Sequence, residues 1–125
     1  FAAAATQRSV SNLISMWGTS DFNWTFQEPF GDQPPFETIE TLWRCSPVRY
    51  IGNAKTPTLV LHSERDMRCP IEQGQQLYTA LRRAGVKAEL VLFPEESHGL
   101  SRGGRTDRRI ARLKHIRRWF VEHLA

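Results

Sequence analysis

The second half of the chain carries the clearest pattern. Thr58-Leu59-Val60-Leu61-His62 is a compact apolar run directly after Pro57, as expected of a strand buried on both faces. Pro70 then opens a stretch in which Ile71, Leu77, Tyr78, Leu81 and Ala84 recur on one helical face, and Gly85 closes it. Lys87 to Phe93 predicts a second strand, and 94–99 the loop after it. Thr106 or Asp107 caps a final helix running to about His123. Ile110, Leu113, Phe120 and Leu124 recur there at helical spacing, so they are expected to face a core with the arginines opposite. Strand, helix, strand, helix in this order is a βαβα unit built on a parallel sheet.

The first half is less regular. Phe1 to Val10 begins with an apolar run that predicts a buried strand cut short at its start. From Ser11 to Tyr50 large aromatic residues (Trp17, Phe22, Trp24, Phe26, Phe30, Phe36 and Trp43) alternate with Gly and Pro. Turns and short helices are expected here, one of them over 38–44 and stopped before Pro47. So many large aromatics exclude a solvated linker.

With 125 residues the chain fits one domain. Its 40% hydrophobic and 24% charged residues exclude intrinsic disorder. No apolar run approaches the roughly 20 residues that span a bilayer, so no membrane partner is expected. The formal charge of +4 is local: eight of the 17 Lys and Arg fall between Arg102 and Arg118, where Asp107 alone opposes them. An arginine patch of this kind can bind nucleic acid or an acidic partner, and a non-catalytic α/β module acting through its Arg-rich C-terminal helix is the alternative reading. The solvated face of an amphipathic helix, or a subunit contact, explains the same pattern. No aromatic residues interleave the arginines as single-strand binders require, which disfavours nucleic acid. Cys45 and Cys69 lack C-x-x-C spacing and read as small, partly buried hydrophobes suited to a reducing, cytoplasmic setting. A zinc site joining them to His62 and His98 has no support in the spacing, and neither a metal nor a cofactor is expected.

Candidate chemistry follows from topology. A βαβ crossover leaves its two strands parallel, with their C-terminal ends on one edge of the sheet. Asp66 lies just past the first of these ends and His98 just past the second. If the strands are neighbours, about 4.8 Å apart, both side chains project into the crevice where open α/β sheets place ligands. A carboxylate beside an imidazole fixes its tautomer and stabilises the imidazolium formed when the other nitrogen takes a proton. On residues alone, Asp66 equally fits a turn or helix-cap carboxylate paired with Arg65 or Arg68, and His98 a loop residue held by backbone.

The segment T-P-T-L-V-L-H-S-E-R-D-M-R-C-P-I-E-Q-G-Q-Q-L-Y at 56–78, followed by F-P-E-E-S-H-G-L at 93–100, resembles the end of the prolyl oligopeptidase family of serine peptidases. A-A-A-T-Q-R-S-V-S-N at 3–12 and W-G-T-S-D at 17–21 are similar to the stretch after the nucleophile in its acylaminoacyl-peptidase branch. The resemblance covers essentially the whole chain. It implies that residues 1–125 are the C-terminal portion of an α/β-hydrolase fold, mainly parallel strands with flanking helices and incomplete without the upstream half. It also implies Asp66 as triad acid, His98 as general base, a peptide substrate, and a β-propeller that precedes this domain in relatives and is absent here. The aromatic region up to Tyr50 would line the substrate pocket. His62-Ser63 stands where relatives often have His-Gly.

The departure from the family is the nucleophile. No G-x-S-x-G is present, although α/β-hydrolases place their serine in that turn, ahead of the acid and the base. Ser97 adjoins His98 too closely in sequence for nucleophile geometry, and Gly18-Thr19-Ser20 lacks the second glycine. The expectation is a piece that starts at Phe1, after the nucleophile, and is inactive alone. About three strands would leave an apolar sheet edge uncovered, an aggregation hazard. The expected partner is an upstream catalytic-domain fragment or a second copy completing the fold.

Overall fold

A computed structural model describes residues 1–22 and 34–124. Among them the elements run β1 (Ala4–Gln7), α1 (Leu13–Thr19), α2 (Pro35–Cys45), a 3-10 helix (Pro47–Asn53), β2 (Thr58–Ser63), α3 (Ile71–Arg83), β3 (Ala88–Phe93), α4 (Leu100–Gly103) and α5 (Thr106–Leu124). The three strands form one sheet in the order β1-β2-β3, and both pairings are parallel.

β2 is central, and its side chains alternate between two separate apolar layers. Leu59 and Leu61 pack with Phe93, Leu100 and Trp119 against α5, while Val60 packs with Leu81 and Val86 against α3. The run read as doubly buried is buried on both faces, and burial of Leu59, Val60 and Leu61 is essentially complete. Fully burying such a side chain is worth roughly 1.5–3 kcal/mol, so this tripeptide anchors the sheet. α3 ends as its sequence predicts: Gly85 adopts φ +78 and lets the Val86 N–H reach back to the Leu81 carbonyl at 3.0 Å. Ala84, expected on the buried face, is the exposed C-cap residue instead.

Two further expectations need correction. The face that α5 turns to the sheet carries Ala111, Ile116 and buried Trp119, while Ile110, Leu113 and Leu124 are exposed and Phe120 is half-buried. Arginine stems cover apolar surface while their heads reach the rim: Arg112 donates to Gln7 Oε1 at 2.6 Å, and Arg118 contacts Glu89 at 2.5 Å and Glu122 at 3.0 Å. Arg112 and Arg118 are therefore half-buried on the inward side of the helix, Arg109 and Arg117 are exposed, and an apolar stripe faces outward. The hydrogen bond with Glu89, opposed by slight desolvation, leaves the Arg118 guanidinium more firmly protonated than usual. Cys45 is exposed, whereas Cys69 is buried as expected.

In the first half, α1 is capped by Asn12, whose Oδ1 accepts from the Ile14 and Ser15 N–H groups. The helix placed at 38–44 begins earlier, at Pro35, and Thr38 departs from helical geometry inside it. Trp24, Phe26 and Phe30 lie outside the described residues.

Candidate active site

β2 and β3 are hydrogen-bonded neighbours in a register that sets Ser63 opposite Phe93. The loops that follow therefore leave the sheet side by side. They are stitched together by backbone, with the Glu64 N–H bonded to the Phe93 carbonyl at 3.1 Å and the Arg65 N–H to the Glu96 carbonyl at 2.9 Å.

Asp66 sits at the crest of the first loop. Its Oδ1 accepts from the Arg68 N–H at 3.0 Å and the Cys69 N–H at 2.9 Å, a local turn that short acidic side chains favour. The turn role expected on residues alone is thus real, and it uses only part of the carboxylate. The helix-cap role is not, since Pro70 is the N-cap of α3. His98 Nδ1 lies 2.9 Å from Asp66 Oδ2 and 3.1 Å from Oδ1. Carboxylate oxygens only accept here, so Nδ1 carries the hydrogen and donates it. The Asp66 side chain is 0% exposed and that of His98 31% exposed, so the acid is enclosed and the ring reaches solvent. No ion pair joins Asp66 to Arg65 or Arg68: Arg65 faces Glu95 at 3.9 Å and Arg68 Nε donates to Asp21 at 2.7 Å.

The His98 loop is braced from two sides. Arg8, just after β1 and at a positive φ of 54°, donates from its guanidinium to the His98 carbonyl at 3.1 Å. Glu96, buried behind the loop, accepts the Arg105 N–H at 3.1 Å ahead of α5. Asp107 is not a cap but a first-turn residue paired with Arg105, whose hydrogen bond holds its carboxyl below the usual range. Ser97 Oγ accepts from the Gly99 N–H at 3.3 Å. Beyond His98 opens a cleft of about 400 Å³ lined by Asp21, Arg65, Met67 and Arg68 on one side and His98 and Arg102 on the other.

Three supporting residues were not legible as such in the sequence. Arg8 looks like the polar end of a strand, His62 like the end of an apolar run, and Gln73 like one glutamine among several. Gln73 is fully buried: its Oε1 accepts the Ser11 and Asn12 N–H groups at 2.9 and 2.8 Å, and its Nε2 donates to the Asn12 carbonyl at 3.0 Å. Among the described residues no group of His, Cys, Asp or Glu is arranged to hold a metal.

Cys69 is also tied to this loop. Burial, with the Asp66 charge adding to it, pushes its thiol up to about 11. The thiolate is the reactive form, so at pH 8 a disulfide reagent such as DTNB is expected to modify exposed Cys45 within minutes and to leave Cys69 intact until denaturant is added; equal labelling would contradict the burial. The raised value also has a thermodynamic sign. The neutral thiol supports the fold fully below its ordinary value of 9.0, and that support is lost as pH climbs towards about 11.

Comparison with known proteins decides the lineage of this arrangement. The sequence matches the model of the Prolyl oligopeptidase family over residues 1–125. The chain belongs to that family. Among its relatives, an uncharacterized peptidase of Bacillus subtilis, YuxL, is 50% identical over 99% of this chain and 19% of its own length. The acylamino-acid-releasing enzyme of Arabidopsis thaliana is 38% identical over 82% of this chain and 14% of its own length. The structure superposes on Pyrococcus horikoshii acylaminoacyl peptidase with a TM-score of 0.92 and 29% identity, covering 99% of this chain and 20% of that one. The chain thus spans a fifth or less of these family members, and its parallel sheet with flanking helices is part of an α/β-hydrolase fold.

Proposed function

We propose that residues 1–125 are the acid- and base-bearing part of a serine peptidase catalytic domain, with Asp66 as triad acid, His98 as general base and the nucleophilic serine upstream of Phe1. The observation that carries this reading is the 2.9 Å contact between His98 Nδ1 and a fully enclosed Asp66 carboxylate at the mouth of a cleft. With Nδ1 committed to Asp66, Nε2 is the ring atom left to exchange a proton with substrate and nucleophile. A serine hydroxyl placed against Nε2 gives up its proton as its oxygen attacks the peptide carbonyl. The imidazolium, stabilised by Asp66, then delivers that proton to the leaving amine. Water enters by the same route in reverse to free the acyl group. One donor for the oxyanion comes with the nucleophile turn and another from an earlier loop, as in this fold.

The names of two relatives, acylamino-acid-releasing enzyme and acylaminoacyl peptidase, support short N-acylated peptides as substrates and an N-acylated amino acid as product. A propeller ahead of the catalytic domain in the complete protein belongs to the same proposal. So does a cytoplasmic setting, which suits two free thiols.

Two surfaces support a companion polypeptide. β1 pairs with β2 on one side only among the described residues, and Ile110, Leu113, Val121 and Leu124 line the outer side of α5 at 48 to 58% exposure. The upstream part of the catalytic domain, or a second copy, covers them. On its own, the chain is expected to be inert towards acylated peptides and esters and to elute from a sizing column as an associated species. The complete protein is expected to release acetylalanine from an acetylalanyl peptide. A complete protein that cleaves neither blocked nor free peptides would overturn the reading, as would an isolated monomer that turns over esters.

A further inference from the structure

We propose that His62, which the reaction above does not use, positions the triad acid by holding the far end of its loop. This rests on the assignment of Asp66 and His98 just given. His62 is the fifth residue of β2, is 1% exposed, and points to the α3 side of the sheet. Its Nε2 lies 2.7 Å from the Cys69 carbonyl oxygen. A carbonyl only accepts, so Nε2 carries the hydrogen and donates it.

Cys69 is also the residue whose N–H donates to Asp66 Oδ1 at 2.9 Å. Two hydrogen bonds joined through the Cys69 backbone therefore tie His62 to Asp66, which in turn accepts from His98. The loop is closed near its start as well, where the Asp66 N–H meets the Ser63 carbonyl at 3.3 Å. His62 Nε2 stands 3.9 Å from Asp66 Oδ2, the same oxygen that meets His98 Nδ1 at 2.9 Å.

The other face of the ring fixes its depth. A Cβ on Gly74 of α3 would come within 2.6 Å of His62 Nδ1 and 3.0 Å of its Cγ, so only glycine lets the ring sit this deep. Nδ1 is buried there and has no hydrogen-bond partner among the described residues. Leaving a buried polar atom unsatisfied is costly, and a residue kept only to fill this space would be apolar. The single donation to Cys69 is what distinguishes histidine from leucine at this position.

The test uses the complete enzyme carrying His62→Leu, His62→Gln or Gly74→Ala, with turnover expressed per titrated active site. Displacing a catalytic group by an ångström costs about a hundredfold. His62→Leu is therefore expected to lower kcat about ten- to hundredfold with KM within twofold. His62→Gln, whose amide can donate to the same carbonyl, recovers most of the loss. Gly74→Ala, which keeps the imidazole and crowds it, falls between them and serves if His62→Leu does not fold.

A second readout does not depend on the nucleophile: the low-field NMR resonance of the proton between His98 Nδ1 and Asp66, expected sharp in the parent, broadened or lost in His62→Leu and restored in His62→Gln. Unchanged turnover per site and an unchanged resonance in His62→Leu would overturn the positioning role while leaving the peptidase reading intact. Failure of rescue by glutamine would overturn it too. A parent protein that hydrolyses no peptide, yet whose resonance follows this series, would overturn the peptidase reading and leave the positioning role standing.

Discussion

Replacing His98 by alanine in the complete enzyme is expected to lower kcat by about 10⁴–10⁶-fold, the loss seen when serine hydrolases lose their base, with little change in KM. The reason lies in the division of labour at the ring. Nδ1 is engaged by Asp66 at 2.9 Å, and Asp66 itself is held by two backbone N–H groups, so the ring has one orientation and one free nitrogen. In the proposed mechanism, loss of that nitrogen leaves the serine hydroxyl no proton acceptor and the leaving amine no donor, whereas contacts that bind the peptide elsewhere remain. Asp66→Asn is expected to cost about 10⁴-fold by a different route: its amide can donate to Nδ1, which favours the tautomer that cannot act as base at Nε2. Steady-state kinetics on an acetylated peptide checks both. Turnover within tenfold of the parent in the His98 variant would remove the histidine from the mechanism.

The largest effect on stability is expected at Gln73. Its side chain joins the start of α1 to α3: Oε1 takes the Ser11 and Asn12 N–H groups, and Nε2 gives to the Asn12 carbonyl and to Ser15 Oγ at 3.0 Å. Gln73→Ala strands the Ser11 and Asn12 N–H groups, each costing about 1–3 kcal/mol when unsatisfied, while the Asn12 carbonyl keeps the Met16 N–H at 3.0 Å. Partial relaxation and water entry bring the expected loss to about 2–4 kcal/mol, read from the urea unfolding of the domain that contains this chain. A loss below about 1 kcal/mol would mean that the α1–α3 junction is held by apolar contact instead.

Burial on both faces made β2 legible as an uninterrupted apolar run, whereas β3, half-buried along most of its length, was legible from the apolar residues that follow Glu89. Their parallel direction followed from topology; their adjacency, only a condition in the sequence, is observed and brings Asp66 and His98 together. α5 was harder. Its arginines looked like a solvated face because their charge dominates any pattern of hydrophobicity, yet Arg112 and Arg118 are half-buried and their heads find Gln7, Glu89 and Glu122. Periodicity counts residues, not atoms, and a long cation is half apolar. Gln73 stayed invisible for a related reason: a buried polar residue announces itself only through its partners, here sixty or more residues away, while the backbone partner of His62, seven residues on, carries no side-chain signal. The Asn12 cap of α1 was readable in principle, since Asn before a helical stretch is a start signal, but the surrounding aromatics masked the stretch.

A fluorophosphonate, which reacts only with an activated serine, puts the central claim to its most direct test. Treated with the probe and digested, the complete protein should yield one labelled peptide from a G-x-S-x-G turn upstream of Phe1, and the His98→Ala variant should yield none. A labelled serine within residues 1–125, or labelling at an unchanged rate without His98, would contradict the account.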